Sequence, residues 1–151
     1  MNMIFTDLSN VSRDAFHAFI TKISNDFIPP LLPRIEIDCY YDKLRTLANA
    51  VVCLEREKVV GIAVTYCNNI DTKQAYIPFV GVDRDYRGCH IATTLIEKSK
   101  VCATQYGMSK IGIHTNNPHA KDLYIKCGFK IIRSEYNYEI QVERYYLEIE
   151  L

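Results

Sequence analysis

The stretch from Val80 to Ala92 constrains this chain more than any other. It reads Val-Gly-Val-Asp-Arg-Asp-Tyr-Arg-Gly-Cys-His-Ile-Ala. An apolar strand ends, a charged turn follows, and a helix opens with small residues. The first turn of a helix exposes unpaired backbone N–H groups at the positive end of the helix dipole, which suits a phosphate or pyrophosphate. Gly88 and Ala92 leave room for such a ligand, and Arg84 and Arg87 add positive charge. The stretch is neither a G-x-x-x-x-G-K-[ST] phosphate loop nor a G-x-G-x-x-G dinucleotide fingerprint. Taken alone it also fits a plain strand–turn–helix with no ligand.

The remaining elements are legible from periodicity and caps. Ile4–Asp7 reads as a first strand. Ser9 or Asn10 caps a helix to about Ile23, with Phe16, Phe19, Ile20 and Ile23 as its apolar stripe. Pro29-Pro30-Leu31-Leu32-Pro33 makes a stiff loop. A second helix is expected over 35–49, then strands over 51–55 and 59–66 joined as a hairpin, and a strand over 74–82. A helix over 91–106 stops at Gly107, a strand covers 111–115, and Asn117-Pro118 opens a helix ended by Gly128. Strands over 130–138 and 143–151 close the chain. This order predicts a mixed α/β sheet with helices on both faces. A length of 151 residues fits one domain, 1–151.

Charge and cysteine usage exclude several classes. Lys+Arg 18 balances Asp+Glu 18, so there is no basic surplus for nucleic acid. No apolar run approaches the roughly 18 residues of a membrane span. The stretch Met1–Asp7 lacks the basic flank and apolar core of a leader, so a cytoplasmic location is expected. Cys39, Cys53, Cys67, Cys89, Cys102 and Cys127 form no C-x-x-C pair, and the four histidines supply no zinc-finger spacing. Free thiols, mostly buried, and no metal are expected.

A second stretch, Asn117-Pro118-His119-Ala120-Lys121-Asp122-Leu123-Tyr124-Ile125-Lys126-Cys127-Gly128-Phe129, stands beside the first. Together they resemble the GNAT (GCN5-related N-acetyltransferase) superfamily. Arg87 and Ala92 match its R/Q-x-x-G-x-G/A acyl-CoA loop. Asn117, Ala120, Leu123, Tyr124, Lys126, Gly128 and Phe129 match its N-x-x-A-x-x-L-Y-x-K-x-G-F signature. The resemblance implies a mostly antiparallel sheet with a splayed central strand pair, and acetyl-CoA as cofactor. One departure is His90, where the family usually has Gly; a side chain there either crowds the phosphates or donates a hydrogen bond to them.

The resemblance also assigns roles. The backbone of Val82 holds the pantetheine arm, and the Val80 N–H holds the thioester carbonyl. Pro78 suits a splayed strand, since it cannot donate to a ladder. The loop and helix start, Arg87, Gly88, Cys89, His90, Ile91, Ala92 and Thr93, receive the pyrophosphate, and Asn117 joins them while capping its helix. Tyr124 is the general acid, a phenol protonated at pH 7. Some members carry Glu where this chain has Tyr76, a poor base. His114 has a suitable intrinsic pKa and is the candidate base. Glu36 and Asp38 are candidates for binding a cationic amine, with Tyr76, or for relaying its proton through water.

The function implied is acetyl transfer from acetyl-CoA to a primary amine of a small molecule, such as an amino sugar or amino acid, by direct attack on the thioester. Phe27, Pro29, Pro30, Tyr40 and Tyr41 would form the acceptor lip. Two alternatives stay open: acetylation of a protein N-terminus or lysine, and a non-catalytic acyl-CoA sensor. A monomer or homodimer is expected, with no nucleic-acid or membrane partner.

Overall fold

The computed structural model describes residues 2–151. Met1, part of the stretch read for a leader, lies outside the described residues. The elements are β1 (Met3–Asp7), α1 (Arg13–Ile23), α2 (Ile37–Leu47), β2 (Asn49–Glu55), β3 (Lys58–Tyr66), β4 (Gln74–Val82), α3 (Ile91–Gln105), β5 (Lys110–Thr115), α4 (Pro118–Lys126), β6 (Lys130–Asn137) and β7 (Val142–Glu150). The strands form one sheet in the order β1-β2-β3-β4-β5-β7-β6. All neighbours are antiparallel except β4 and β5. The expected α/β class, mostly antiparallel pairing and helices on both faces are thus present. No helix among the described residues is long and apolar enough to cross a membrane.

Local chemistry sets the boundaries. Asp7 caps a short 3₁₀ turn at Leu8–Asn10, so α1 starts later than expected, capped by Ser12 through the Ala15 N–H. Helix α2 is two residues shorter at each end than the sequence suggested, because Glu36 accepts from Asp38 and Cys39 N–H and caps it. Asn117 caps α4 as expected, accepting from the His119 N–H at 2.9 Å.

Two cores flank the sheet. Phe16, Phe19, Ile20 and Ile23 of α1 pack with Leu44 of α2 on Val52, Ile62, Val64 and Phe79. On the other face Leu95 and Ile96 of α3 and Tyr124 of α4 meet Ile77, Ile111, Ile113 and Leu147 and the β2–β3 residues Cys53, Val60 and Ala63. Phe16 is fully buried, and truncating such a ring to alanine costs about 3–5 kcal/mol. Helices α1 and α2 pack on β2 and β3. The same face of β5–β7 is left without a helix, and that is where polar side chains gather. All six cysteines are free; Cys53, Cys67 and Cys127 are buried, while Cys39 is exposed.

Candidate active site

Strand β4 pairs with β5 only from Gln74–Lys110 to Ile77–Ile113, and then the two part. On its other edge β4 stays with β3 as far as Val82–Gly61. A bulge at the parting point sets Ile77 and Pro78 against Thr65 alone. Pro78 has no N–H, so it forfeits no ladder bond where pairing stops. The Thr65 hydroxyl is buried there without a partner among the described residues. Past the bulge the Asp83 N–H donates to Val60 O at 2.9 Å. Backbone groups alternate between the two edges along a strand. Phe79 and Gly81 therefore face β3, while Val80 and Val82 turn their N–H and C=O groups to the open edge.

The helix that follows is brought close by a glycine. A Cβ on Gly61 would lie 2.9 Å from Ile91 Cγ2, so only glycine lets the start of α3 sit this near the sheet. Gly88 has φ +83° and His90, the N-cap of α3, has φ +59°. His90 thus occupies the left-handed region that favours glycine, with its side chain exposed and making no cap bond. The N–H groups of Cys89, His90, Ile91, Ala92 and Thr93 take no hydrogen-bond partner among the described residues. Five consecutive free amides beside an open strand edge fit a pyrophosphate and the amide-bearing arm attached to it.

The two arginines of the turn are held differently from expectation. Asp26, just after α1, accepts from Arg84 and, at 3.1 Å, from Arg87. Arg87 also approaches Val82 O at 3.5 Å. Lys22 bridges Asp83 and Asp85 at 2.7 and 2.8 Å. Burial alone would raise the Asp83 carboxyl, but the Lys22 ammonium and the Asp85 N–H overcome it and hold it below the usual range. These ties pin the β4–α3 turn to α1.

Candidate acid and base lie on opposite faces of the sheet. Tyr124 sits on α4, packed against Phe129 with ring centroids 6.0 Å apart. Its hydroxyl accepts and donates nothing among the described residues, yet it is not sealed from solvent. Burial of the ring pushes its pKa up, so it is a neutral donor. On the other face Tyr76 Oη lies 2.6 Å from His114 Nδ1. Burial lowers the His114 pKa, and the charges of Arg144 and Arg133 add to this against Glu135. Burial raises the Tyr76 pKa. A neutral imidazole beside a protonated phenol means Tyr76 O–H donates to Nδ1, which leaves the ring proton on Nε2.

Tyr146 backs the pair. Its ring lies 4.7 Å from the His114 ring, and its hydroxyl donates to Glu148 at 2.7 Å while accepting from Gln74 Nε2 at 2.6 Å. Burial and the Glu148 bond push the Tyr146 phenol up to about 12. A Cβ on Gly112 would collide with that phenol, so glycine is needed beneath it. Tyr146, Asp26, Arg133 and Arg144 escaped the sequence reading. Period-2 alternation along β7 was a usable signal for Tyr146 and Arg144; nothing local marks Asp26.

The other candidates go elsewhere. Glu36 caps α2, and Asp38 lies 3.9 Å from Arg13 on α1. Tyr41 is buried in the core rather than on a lip, with its hydroxyl donating to Val11 O, and the half-buried Tyr40 packs on Phe16 at 6.3 Å. Phe27 stacks on Phe79 at 5.2 Å, and Asn116 Nδ2 donates to Ile28 O at 2.9 Å. The proline loop is thereby latched to the end of β5.

A splayed parallel pair, free helix-start amides and a candidate acid and base across the sheet fit an acyl-CoA-dependent transferase. The Acetyltransferase (GNAT) family pattern matches residues 16–129, and the chain belongs to that family. No curated protein matches it in sequence. Among solved structures it resembles an N-acetyltransferase from Staphylococcus aureus Mu50 (17% identity, 99% of each chain, TM-score 0.79). The ribosomal-protein-S18-alanine N-acetyltransferase from Escherichia coli is also similar (15% identity, 99% of this chain and 94% of that one, TM-score 0.79). A Bacillus anthracis structure in complex with acetyl coenzyme A matches at 25% identity, over 70% of this chain and 63% of that one, with TM-score 0.62. The protein is therefore an acyltransferase that uses acetyl-CoA.

Proposed function

We propose that the protein transfers an acetyl group from acetyl-CoA to the primary amine of a small molecule by direct attack on the thioester. The observation that carries this reading is the Tyr76–His114 hydrogen bond of 2.6 Å on the helix-free face, opposite Tyr124. Acetyl-CoA supplies the activated acetyl group. The free amides from Cys89 to Thr93 would receive its phosphates, with Gly88 and Asn117 as the further contacts that the family implies, and Val82 would offer backbone partners to its arm.

The Val80 N–H faces the gap as a donor for a carbonyl oxygen. One preorganised donor of this kind contributes about 3 kcal/mol to the transition state. Tyr76 Oη takes a proton from the acceptor's ammonium as its own proton moves to His114 Nδ1, so the imidazole acts as the base and the phenol as the relay. The neutral nitrogen then bonds to the acetyl carbon and the carbon–sulfur bond breaks. Tyr124 gives its proton to the departing sulfur. The proton that nitrogen loses as the amide forms refills Tyr124, and His114 returns its proton to water. Glu36 and Asp38 have no step here, because their partners lie within α2 and on Arg13.

Thiol release from acetyl-CoA over a panel of small primary amines tests this reading. Turnover with matched formation of the acetylated amine is expected. Tight CoA binding without turnover on any amine would overturn it in favour of a sensor.

A further inference from the structure

The helix-free face carries two guanidinium groups that the mechanism leaves unused. Strand register sets them there. His114 opposes Tyr146, Tyr146 opposes Arg133, and Arg144 opposes Glu135. Because alternate residues share a face, Arg144 and Tyr146 on β7, Arg133 and Glu135 on β6, and His114 on β5 all point the same way. Arg133 lies over the Tyr146 ring, 4.3 Å from its centroid, and that ring touches the imidazole.

Neither guanidinium has a carboxylate within 4.0 Å among the described residues. By contrast Arg84 and Arg87, at the β4–α3 turn, are engaged with Asp26. Glu148, on the same face, is taken by Tyr146, Gln74 and, at 3.6 Å, Lys110. Two guanidinium groups without a carboxylate partner, Arg144 beside the Tyr76 hydroxyl and Arg133 over the Tyr146 ring, make a receptor for an anionic group, which arginine binds through paired N–H donors.

We propose that Arg133 and Arg144 form an acceptor subsite for an anionic group, so that the natural acceptor is a small amine bearing a carboxylate or phosphate close to its nitrogen. This rests on the transferase reading above and narrows it. It also has a chemical consequence. The groups facing His114 are Tyr76 and Gln74 from β4, Tyr146, Arg144 and Glu148 from β7, and Arg133 and Glu135 from β6. In the free protein burial depresses the imidazole's proton affinity and the two arginine charges depress it further. An anion seated between them cancels that effect, so the right acceptor strengthens its own base.

The test has two arms. In the first, acetyl transfer is measured for glycine against glycinamide and for phosphoethanolamine against ethanolamine, with wild type, Arg144→Gln and Arg133→Gln. Wild type is expected to favour at least one anionic acceptor by about tenfold or more in kcat/KM, through KM, and each variant to collapse that ratio toward one. In the second, which needs no turnover and no variant, His114 is titrated by NMR in CoA-loaded protein with N-acetylglycine, N-acetylglycinamide or inorganic phosphate. An upward shift of roughly 0.5 pH unit is expected with an anion and none with the amide. Equal transfer to charged and neutral acceptors, or an unmoved His114 with both anions, overturns the proposal. An anion-dependent shift with no amine acetylated upholds the subsite and overturns the transferase reading instead.

Discussion

Tyr76 on β4 and His114 on β5 share a 2.6 Å hydrogen bond although 38 residues separate them in the chain. The contact exists because β4 and β5 run parallel in a register that pairs Tyr76 with Gly112, one step along the face from His114. Removing the phenol oxygen should break the relay and leave the fold intact. Tyr76→Phe is expected to lower kcat by about 10²-fold with CoA affinity unchanged. Unaltered single-turnover acetyl transfer would exclude Tyr76 from the proton path.

The pH profile follows from the environment of His114. Burial, then Arg144 and Arg133, lower its pKa, so the neutral imidazole persists to lower pH than an ordinary histidine allows. Activity is lost only as pH falls through that depressed value, and the acid limb of kcat/KM should centre below about 6.5. His114→Gln should remove this limb, leaving only a rise at higher pH from the acceptor amine itself. A limb centred above 6.5 in wild type would contradict the assignment.

Tyr124→Phe keeps the ring against Phe129 and deletes a hydroxyl that has no partner among the described residues. Melting temperature and CoA binding should therefore hold. Turnover should fall by about 10²-fold, and less with an acyl donor whose thiol is more acidic. Heavy destabilisation would show the hydroxyl to be a structural group.

His90 holds φ +59° at the N-cap of α3, where a side chain is strained. His90→Gly should stabilise the fold by about 1 kcal/mol and tighten CoA binding by clearing the phosphate side of the loop. His90→Ala keeps the strain and should gain no stability. Urea unfolding and CoA titration of both variants decide this; a weaker His90→Gly complex would assign the imidazole a phosphate contact.

Asp83 is fully buried and pairs with Lys22 at 2.7 Å. Its depressed pKa gives stability that is complete above the unfolded carboxylate range, about 3.9, and is lost as pH falls through the folded value. Asp83→Asn should flatten that acid dependence and lower the melting temperature at pH 7 by roughly 5 °C. An unchanged acid profile would place the acid sensitivity on other carboxylates.

Much of this molecule was readable along the chain because its signals are local. The Val80–Ala92 order, the Asn117–Pro118 cap and the stripe from Phe16 to Ile23 each need only a few adjacent residues. Pro78 marked the parting of β4 from β5 for the same reason. What stayed hidden depends on strand order. Asp26 meets Arg84 and Arg87 across 58 and 61 residues, and no local pattern announces such a pair. Tyr40 and Tyr41 look like lip residues beside the proline loop, but the helical phase of α2 turns them onto Phe16 and Val11 O. Glu36, a candidate for meeting a cationic amine, falls inside the helix expected over 35–49; α2 instead starts at Ile37, and as its N-cap Glu36 is committed to two backbone amides.

The parting of β4 and β5 makes the sheet a wall with a doorway. On the proposed mechanism the sulfur side of the reaction lies on the α4 face and the amine side on the bare face, so the two substrates would not compete for the same approach. Either could then be present before the other, and the acetyl group would cross without being parked on a side chain. Steady-state velocities should then give intersecting rather than parallel double-reciprocal lines. It also means that the side chains of the bare face can be redrawn for a new acceptor, one strand residue at a time, without touching the backbone edge of β4 or the start of α3.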